Sequence, residues 1–414
     1  MEARVNPALL AEVRRYGHFD VEACFNCGSC AAVCSLSEDS AMFPRRAMRF
    51  VQAGLREPLI RSLDPWLCYY CGDCSTTCPR QTEPGESMMT LRRFLTAQYD
   101  WTGIAAKLYT SWVWQIGALL AAGAAVASLI AFCHGPLVTA TPVPLNTFAP
   151  PHLVHIFDLT VASILTLLLA SYVSRMFWLT VYRGGVAKVP LASFIEEAKV
   201  LVLHGATQMQ FLKCAKPGPW FQGRWIKHFL LVSGYVIMFT LVVVFLEWFQ
   251  TDNIYPIYHP QRWLGYYAAV VLIVFLSEAL WGRIRKLEQM HKYTDLSDWV
   301  FPGMLWLTAV TGIAVHAFRY WGWPLATYYT YAVHLAVAVT MLIVVYPFGK
   351  WAHVVYRPLA IYFHAVKMNA LRRQMRGELG SRQGAVPDGL GKDVASRREE
   401  TGAGAPSQEQ PQKV

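Results

Sequence analysis

Eight of the ten cysteines fall into two strings with the same spacing, Cys-x2-Cys-x2-Cys-x3-Cys. Such a string supplies thiolates to an iron–sulfur cubane, and in doubled strings the fourth cysteine usually binds the other cluster. The spacing therefore predicts two [4Fe–4S] clusters. The predicted ligands are Cys24, Cys27, Cys30 and Cys78 for cluster 1, and Cys34, Cys68, Cys71 and Cys74 for cluster 2.

Two other uses of these cysteines remain open at this stage. Cys-x2-Cys units also bind zinc, although a structural zinc ion seldom takes four cysteines at so compact a spacing. Disulfides form in oxidising compartments, and we see no secretory signal at the N-terminus of the sequence. We therefore expect the cysteine strings to form clusters in the cytosol.

The segment between the strings must position the cysteines. Apolar residues recur at helical spacing from Arg45 to Leu55, and Pro58 is expected to end that helix. A ferredoxin built on a β-hairpin would show short alternating Val-rich runs here, and none is present. The sequence thus predicts an α-helical ferredoxin domain over residues 1–108.

The rest of the chain is strongly apolar. Hydrophobic residues make up 54% of the sequence and charged residues only 15%, which is too apolar for an ordinary soluble domain. Hydropathy predicts six transmembrane helices of about 20 residues or more, with Trp and Tyr at their ends. The predicted spans are Tyr109–Cys133, Val154–Tyr182, Ile226–Phe249, Trp263–Trp281, Val300–Phe318 and Tyr328–Tyr346.

Lysine and arginine are concentrated in the connections after the second and fourth spans. By the positive-inside rule these connections and both termini are cytoplasmic. Residues 1–108 carry 12 basic and 12 acidic side chains, so the formal charge of +10 reflects membrane topology and does not indicate nucleic-acid binding. Residues 188–225 include an amphipathic segment expected to lie on the membrane surface. Residues 368–414 are expected to be a disordered tail.

Histidines near the ends of apolar spans indicate haem. His334 and His353 lie on one predicted helix, about 28 Å apart, and can serve metal centres near opposite membrane faces. We pair His353 with His228 for an inner b haem. His334 is the predicted ligand of the outer haem, and His316 is its expected partner. Met238 and His155 are the alternative partners.

Two alternatives to this assignment remain: a chain without a second haem, and interfacial histidines bound only by water or lipid headgroups. If the histidines bind haem as predicted, residues 109–367 form a six-helix cytochrome b domain. The expected fold class is therefore all-α: a cytosolic α-helical ferredoxin domain followed by a transmembrane cytochrome b bundle.

Several segments of the last span resemble the cytochrome b (gamma) subunit of respiratory nitrate reductase. They are His334-Leu335, Tyr346-Pro347-Phe348-Gly349-Lys350 and His353-Val354. In that family this helix carries two haem ligands, and an earlier helix supplies two histidines ten residues apart. Here His228 matches the first of these, whereas Met238 stands in the second position.

A resemblance over nearly the whole chain rests on residues between and after the cysteines. The segments are Trp66–Arg80, Glu83-Pro84-Gly85-Glu86, Arg92-Arg93 and Tyr99-Asp100-Trp101-Thr102. The N-terminal half resembles the C subunit of heterodisulfide reductase, and the remainder resembles the E subunit of the same enzyme. Such a fusion is similar to the family of C subunits found in quinone-interacting membrane-bound oxidoreductase (Qmo) complexes.

The Qmo resemblance implies electron exchange between menaquinone and the flavin and iron–sulfur A and B subunits of Qmo. These in turn serve adenylylsulfate (APS) reductase in dissimilatory sulfur metabolism. The location it implies is a bacterial or archaeal cytoplasmic membrane.

The residues alone also indicate a chain that carries electrons. It has predicted clusters and haems, but no dinucleotide-binding fingerprint that would indicate a site for hydride chemistry. The expected path links quinol, outer haem, inner haem, clusters and a soluble flavoprotein, in either direction. Asp158 is the first choice for the group that accepts a quinol proton, and a structural role in an ion pair with Arg319 is the alternative. Two rival functions remain: a membrane module of a heterodisulfide reductase-like complex, and an anchor that does not react with quinone.

Overall fold

The computed structural model describes residues 4–37, 42–184, 189–214 and 223–383, with the side chains of 213–214 and 377–383 excepted. These residues form helices and contain no β-strand. Six of the helices are long and apolar enough to cross a membrane. The predicted all-α fold, with a ferredoxin-like N-terminal part and six membrane helices, is confirmed.

In the described N-terminal residues, seven α-helices lie around an eighth, α7. Met88, Leu91 and Phe94 of α7 are completely buried, so this helix forms the centre of the local core. The helices are α1 (Leu9–Arg14), α2 (Ser29–Val33), α3 (Arg45–Gln52), α4 (Arg56–Ile60), α5 (Asp64–Leu67), α6 (Asp73–Thr76), α7 (Pro84–Tyr99) and α8 (Ile104–Thr110).

The helix predicted from Arg45 to Leu55 ends earlier than expected. Helix α3 ends at Gln52, and Gly54 turns the chain with a φ of +67°. A Cβ at Gly54 would lie 2.6 Å from the carbonyl oxygen of Asn6, so only glycine fits this turn. Pro58 lies inside α4. The prediction that Pro58 ends the helix that begins at Arg45 is therefore wrong.

The membrane part contains the six long helices and several short ones. The helices are α9 (Trp112–Cys133), α10 (Leu145–Phe148), α11 (Pro151–Phe177), α12 (Leu191–Thr207), α13 (Arg224–Val243), α14 (Leu246–Phe249), α15 (Pro260–Arg285), α16 (Leu296–Tyr320), α17 (Pro324–Thr340), α18 (Tyr346–Phe348) and α19 (His353–Gln383). The third predicted span is too long by several residues, because α13 ends at Val243. Neither Gly nor Pro marks this end, so the sequence carries no local sign of it.

His334 and His353 do not share a continuous helix, and that prediction is wrong. A π-helical turn over Met341–Val345 follows α17, and α18 ends at Phe348, after which Gly349 has an extended backbone. Pro347 has no N–H to continue the helical hydrogen bonds. His353 begins α19 instead.

Helix α12 lies against α19, within the segment predicted to be amphipathic. Phe194 packs on Phe177 and Tyr362. The opposite face exposes large apolar side chains: Leu191, Ile195, Val202 and Leu203. An exposed apolar stripe of this kind fits a helix on a membrane surface. Helix α19 continues to Gln383, so the predicted disorder does not apply to residues 368–383; residues 384–414 lie outside the described part of the chain.

The N-terminal helices and the membrane helices share one core. The Tyr356 ring of α19 lies 5.2 Å from the Trp66 ring and 5.5 Å from the Tyr99 ring. Buried charges also join the two parts: Arg93 of α7 pairs with Asp298 of α16 at 2.7 Å. The cluster domain is therefore fixed against one end of the helix bundle.

Candidate cluster and haem sites

The first cysteine group contains the residues predicted to bind cluster 1. Cys24, Cys27, Cys30 and Cys78 line one small surface cavity, although Cys78 belongs to the second string. The Cys30 thiol interacts electrostatically with each of the other three. The fold thus brings together the four cysteines that the crossed pairing requires.

The second group is complementary. Cys74 interacts electrostatically with Cys68, Cys71 and Cys34, although Cys34 belongs to the first string, and also with Cys30 of the first group. This arrangement fits the predicted exchange of the fourth cysteines between the two strings. Among the described residues, no three His, Cys, Asp or Glu side chains are placed to hold a single metal ion.

Both strings fold in the same local way. Gly28 and Gly72 follow the second cysteine of each string with φ near +90°, and each precedes a short helix that carries the third cysteine. The backbone N–H of Asn26 donates to Cys24 Sγ at 3.4 Å, and the N–H of Tyr70 donates to Cys68 Sγ at 3.3 Å. Hydrogen bonds to cluster sulfurs are one means by which a protein sets a cluster's potential.

Burial disfavours thiolates at both groups in the absence of a metal. It raises the pKa of Cys30 to about 11 and that of Cys34 to about 12, with neighbouring cysteines adding to both shifts. Iron bound at these sites would compensate the thiolate charges. The surroundings of Cys30 and Cys34 therefore fit thiols that become charged only when they bind metal, whereas a hydrogen bond with Ser29 lowers the pKa of exposed Cys27.

The two groups differ in their surroundings. At the first group Cys27 is exposed, and the Phe25 side chain is 71% exposed. At the second, Cys68 and Cys74 are buried, and Tyr69 is only 6% exposed. The first group lies at the protein surface, whereas the second lies between the N-terminal helices and the bundle.

Arginines surround the second group. Arg224, at the start of α13, donates to the carbonyl oxygens of Tyr70 at 2.9 Å and Cys71 at 3.4 Å. Arg92 donates a hydrogen bond from its guanidinium to the Cys68 carbonyl oxygen. The Arg357 guanidinium of α19 lies 4.2 Å from the centre of the Tyr69 ring. Two of these cations come from the bundle, so the bundle contributes to the electrostatics of the second group.

The predicted inner histidines lie near this junction. His353 donates from Nδ1 to the Lys350 carbonyl oxygen at 2.6 Å, and His228 donates from Nδ1 to Gln208 Oε1 at 2.6 Å. Such hydrogen bonds fix the tautomer and leave Nε2 for a metal. The two imidazoles also interact electrostatically with each other. This donor set therefore fits a haem with two axial histidines.

Aromatic rings connect the second cysteine group to His228. The centre of the Tyr69 ring lies 4.6 Å from that of Phe211, and the Phe211 ring lies 4.7 Å from the His228 imidazole. Tyr69 directly follows Cys68 in the chain. A continuous line of contacts thus runs from the cysteine loop to the predicted haem ligand.

A cavity of about 330 Å³ occupies the opposite half of the bundle. Four predicted site residues line it: Asp158, Met238, His316 and His334. Helix α13 packs on α15, α15 on α16 and α16 on α17, and all four helices contribute to the walls. His155 is elsewhere, with Nε2 3.1 Å from the carbonyl oxygen of Val243.

The cavity histidines have different partners. His334 Nδ1 lies 3.0 Å from the Thr311 hydroxyl, which itself donates to backbone carbonyls. His334 therefore donates from Nδ1 and keeps Nε2 available. His316 Nε2 instead lies 2.8 Å from the Tyr266 hydroxyl and 2.6 Å from an Arg262 nitrogen, which is also 2.7 Å from His316 Nδ1. The His334 ring thus keeps one nitrogen for a metal, whereas both nitrogens of His316 have partners in the protein.

Sequence reasoning missed Arg357, Phe211 and Gln208, and it named Arg92 only within a resembling segment. Arg357 and Phe211 have no neighbouring motif, and they reach the cysteine group only through long-range packing. Gln208 directly follows the amphipathic helix α12 with a φ of +53°, and its contact with His228 depends on the fold.

A profile of the 4Fe–4S dicluster domain matches residues 20–82. The chain is similar to an Archaeoglobus profundus protein that is described as like the C subunit of heterodisulfide reductase, with 32% identity over 18% of this chain and 41% of that protein. It is also similar to the second iron–sulfur C subunit of the CoB–CoM heterodisulfide reductase of Methanocaldococcus jannaschii, with 32% identity over 23% of this chain and 51% of that protein. The corresponding C subunit of Methanopyrus kandleri is 29% identical over 23% of this chain and 50% of that protein.

The chain spans about half or less of the length of these curated relatives. No solved structure matches it. Together, the dicluster domain and the six long apolar helices make this chain an iron–sulfur electron-transfer subunit with membrane-spanning helices. In its cluster domain it is similar, at low identity, to the C subunit of heterodisulfide reductase.

Proposed function

We propose that the chain carries electrons between menaquinone or menaquinol, b-type haems, two [4Fe–4S] clusters and soluble flavin and iron–sulfur subunits. The observation that carries this proposal is the line of ring contacts from Tyr69 through Phe211 to His228. It links the cluster 2 loop to a predicted haem ligand inside the bundle. An anchor that stores no electrons in the membrane has no need of this link.

Cluster 1 is held by Cys24, Cys27, Cys30 and Cys78, and cluster 2 by Cys34, Cys68, Cys71 and Cys74. The loop of Cys68, Cys71 and Cys74 contacts the bundle, so cluster 2, when bound there, would be the one to exchange electrons with the inner haem. Cys27 and Phe25 are accessible at the surface, so cluster 1, when bound there, would be the one to exchange electrons with partner subunits. A b haem supplies a one-electron carrier when it is bound.

His228 and His353 hold the inner haem, each orienting its ring through an Nδ1 hydrogen bond. For the outer haem we propose His334 with Met238. Arg262 and Tyr266 already bind His316, which disfavours His316 as the second axial ligand although it lines the same cavity. Met238 lies on α13 ten residues after His228, and the thioether can serve as an axial ligand.

Quinol oxidation releases two protons and two electrons, so its site requires a proton acceptor close to the outer haem. Asp158 lines the same cavity as His334 and Met238. We propose that this carboxylate accepts a proton from the quinol hydroxyl. The alternative pairing of Asp158 with Arg319 loses support, because Arg319 lies 3.8 Å from Asp252.

The cluster domain and both termini are placed in the cytoplasm, on the side of the lysine- and arginine-rich connections. Arg224 and Lys292, which lie in those connections or at their ends, contact the cluster domain. The proposed partners are the flavin and iron–sulfur A and B subunits of a Qmo-type complex, with APS reductase served indirectly.

A second function is favoured by the comparisons. The relatives are named as C subunits of heterodisulfide reductases or as proteins like them, so a membrane module of a heterodisulfide reductase-like complex is the other hypothesis. The two differ in the partner: two flavoproteins indicate a Qmo-type complex, whereas a partner with paired Cys-Cys cluster motifs indicates the heterodisulfide type.

The test uses the chain purified anaerobically with its cofactors. A reduced menaquinone analogue is added, and the haem absorbance change is compared with full reduction by dithionite. Substantial reduction is expected, and an Asp158→Asn variant should slow it while leaving the dithionite-reduced spectrum unchanged. Haem that dithionite reduces but quinol does not would contradict quinol oxidation by this chain.

A further inference from the structure

A second cavity, also of about 330 Å³, lies between the cluster domain, the residues that follow the second membrane helix and the middle of α19. It lies apart from the cluster and haem sites. Its ionisable lining residues are Arg46, Arg61, Asp64, Arg183, His364 and Lys367. Four basic side chains thus share one cavity with a single carboxylate.

The carboxylate is already engaged. Arg46 binds Asp64 with two hydrogen bonds, of 2.8 Å and 2.6 Å. Their charges cancel, and the remaining wall carries Arg61, Arg183 and Lys367. Cations held together in a partly enclosed cavity repel one another and favour a bound anion.

Two of the remaining cations have donors or environments that point to a ligand. The Nε of Arg61 is buried and has no hydrogen-bond partner among the described residues, although its Nη2 pairs with Glu57 at 3.0 Å. Burial lowers the pKa of Lys367, whose Nζ donates to the Thr180 carbonyl oxygen at 2.9 Å. A lysine ammonium has three donors, so this contact leaves two.

The cavity lies at the level expected for lipid headgroups. Arg183 immediately follows the π-helical turn at the end of the second membrane helix. In that turn the rings of Trp178 and Tyr182 stack at 4.3 Å and are both exposed. Exposed Trp and Tyr at the end of a membrane span mark the interface between hydrocarbon and water.

We propose that this cavity binds a phosphate group, supplied by the headgroup of an anionic phospholipid. Arg61, Arg183 and Lys367 donate hydrogen bonds to the phosphate oxygens. Arg46 does not take part, because it is paired with Asp64. Basic pockets at the cytoplasmic ends of membrane helices suit such headgroups, and guanidinium groups match phosphate geometry. Binding there would tie the cluster domain to the bilayer, independently of any quinone reaction.

The test uses the full chain with its clusters, delipidated in detergent and returned to phosphatidylcholine nanodiscs with or without cardiolipin. Native mass spectrometry measures retained cardiolipin for wild type and for the double variant Arg183→Gln, Lys367→Gln. We expect retention to fall at least about tenfold in the variant. The matched control is Arg285→Gln, Lys286→Gln, which removes the same charge at the end of α15 and should retain cardiolipin as wild type does.

Cluster absorbance and thermal midpoint in pure phosphatidylcholine report whether the variants fold. Equal cardiolipin retention by the cavity variant and wild type would overturn the proposal. Inorganic phosphate that displaces cardiolipin only from wild type would support the shared phosphate chemistry. Phosphate binding without any cardiolipin retention would identify free phosphate as the ligand and contradict the lipid source.

Discussion

The two cysteine strings have the same spacing but different surroundings. Phe25 and Tyr69 occupy equivalent positions after the first cysteine of each string, yet Phe25 is 71% exposed and Tyr69 is 6% exposed. Tyr69 is covered by Phe211 and Arg357, which belong to the membrane part. The same spacing thus occurs in two different surroundings, and distant parts of the chain determine which of the two strings is covered.

The largest expected effect concerns the crossed cysteines. Cys78→Ser should remove cluster 1, which lies around the first string, and Cys34→Ser should remove cluster 2. Each variant should fall from about eight to about four iron atoms per chain. Iron analysis and electron paramagnetic resonance of the reduced chain measure this.

The control for these variants is Cys133→Ser, an exposed cysteine outside both groups. It should keep all the iron. If Cys78→Ser lost the signal of the buried cluster and kept that of the exposed one, the crossed assignment would be wrong.

The next prediction concerns the proposed inner haem, which lies near the buried cysteine group. His353→Ala removes a proposed axial ligand, so haem content should fall by about half, with both clusters retained. Pyridine haemochrome analysis gives the haem content. His204→Ala is the matched control, since His204 also lies at this junction and is not a proposed ligand; a similar haem loss in that variant would argue against a specific role for His353.

Charge removal should affect the two clusters unequally. Arg357→Gln takes a cation from beside buried cluster 2 and should lower its potential, because the reduced cluster is more negative. An interaction of about 1 kcal/mol at an effective dielectric constant of 20 corresponds to tens of millivolts.

The comparison variant is Arg80→Gln at the exposed site, where the guanidinium lies 4.5 Å from the Phe25 ring centre. Solvent screens this charge, so cluster 1 should shift less. Redox titrations of both variants measure the shifts. Equal shifts of the two cluster potentials would contradict the expected difference in electrostatic screening between the two sites.

The smallest effect concerns Glu86, whose carboxylate accepts a hydrogen bond from the hydroxyl of Tyr70 in the cluster 2 loop. Burial raises the pKa of Glu86 to about 7 from 4.5. The folded chain therefore binds a proton between about pH 4.5 and 7 that the unfolded chain lacks, and stability falls as pH rises through this range. The effect should be about 1–3 kcal/mol.

Glu86→Gln should remove this part of the pH dependence of the thermal midpoint. Glu57→Gln, at a partly exposed carboxylate of the same domain, should leave it unchanged. An unaltered pH profile in Glu86→Gln would show that another group causes the dependence.

Much of the fold could be predicted because its signals are local. Cysteine spacing and hydropathy extend over a few to about 20 residues, and they gave the cysteine strings and the six membrane helices. The break before His353 was missed, although Pro347 and Gly349 lie within three residues of each other and both weaken helices. The contacts of Arg93 with Asp298 and of Tyr69 with Phe211 join residues far apart in sequence, so no local pattern could reveal them.

The central claim is that cluster 2 lies between cluster 1 and the haem on the electron path, whichever way the electrons flow. Reduced flavodoxin, a donor too large to reach buried cluster 2, is mixed anaerobically with each variant in a stopped-flow spectrometer. Wild type should show cluster bleaching followed by haem reduction. Cys34→Ser should bleach cluster 1 without haem reduction, and Cys78→Ser should show neither. Rapid haem reduction in either variant, with haem that remains reducible by dithionite in both, would contradict the proposed order.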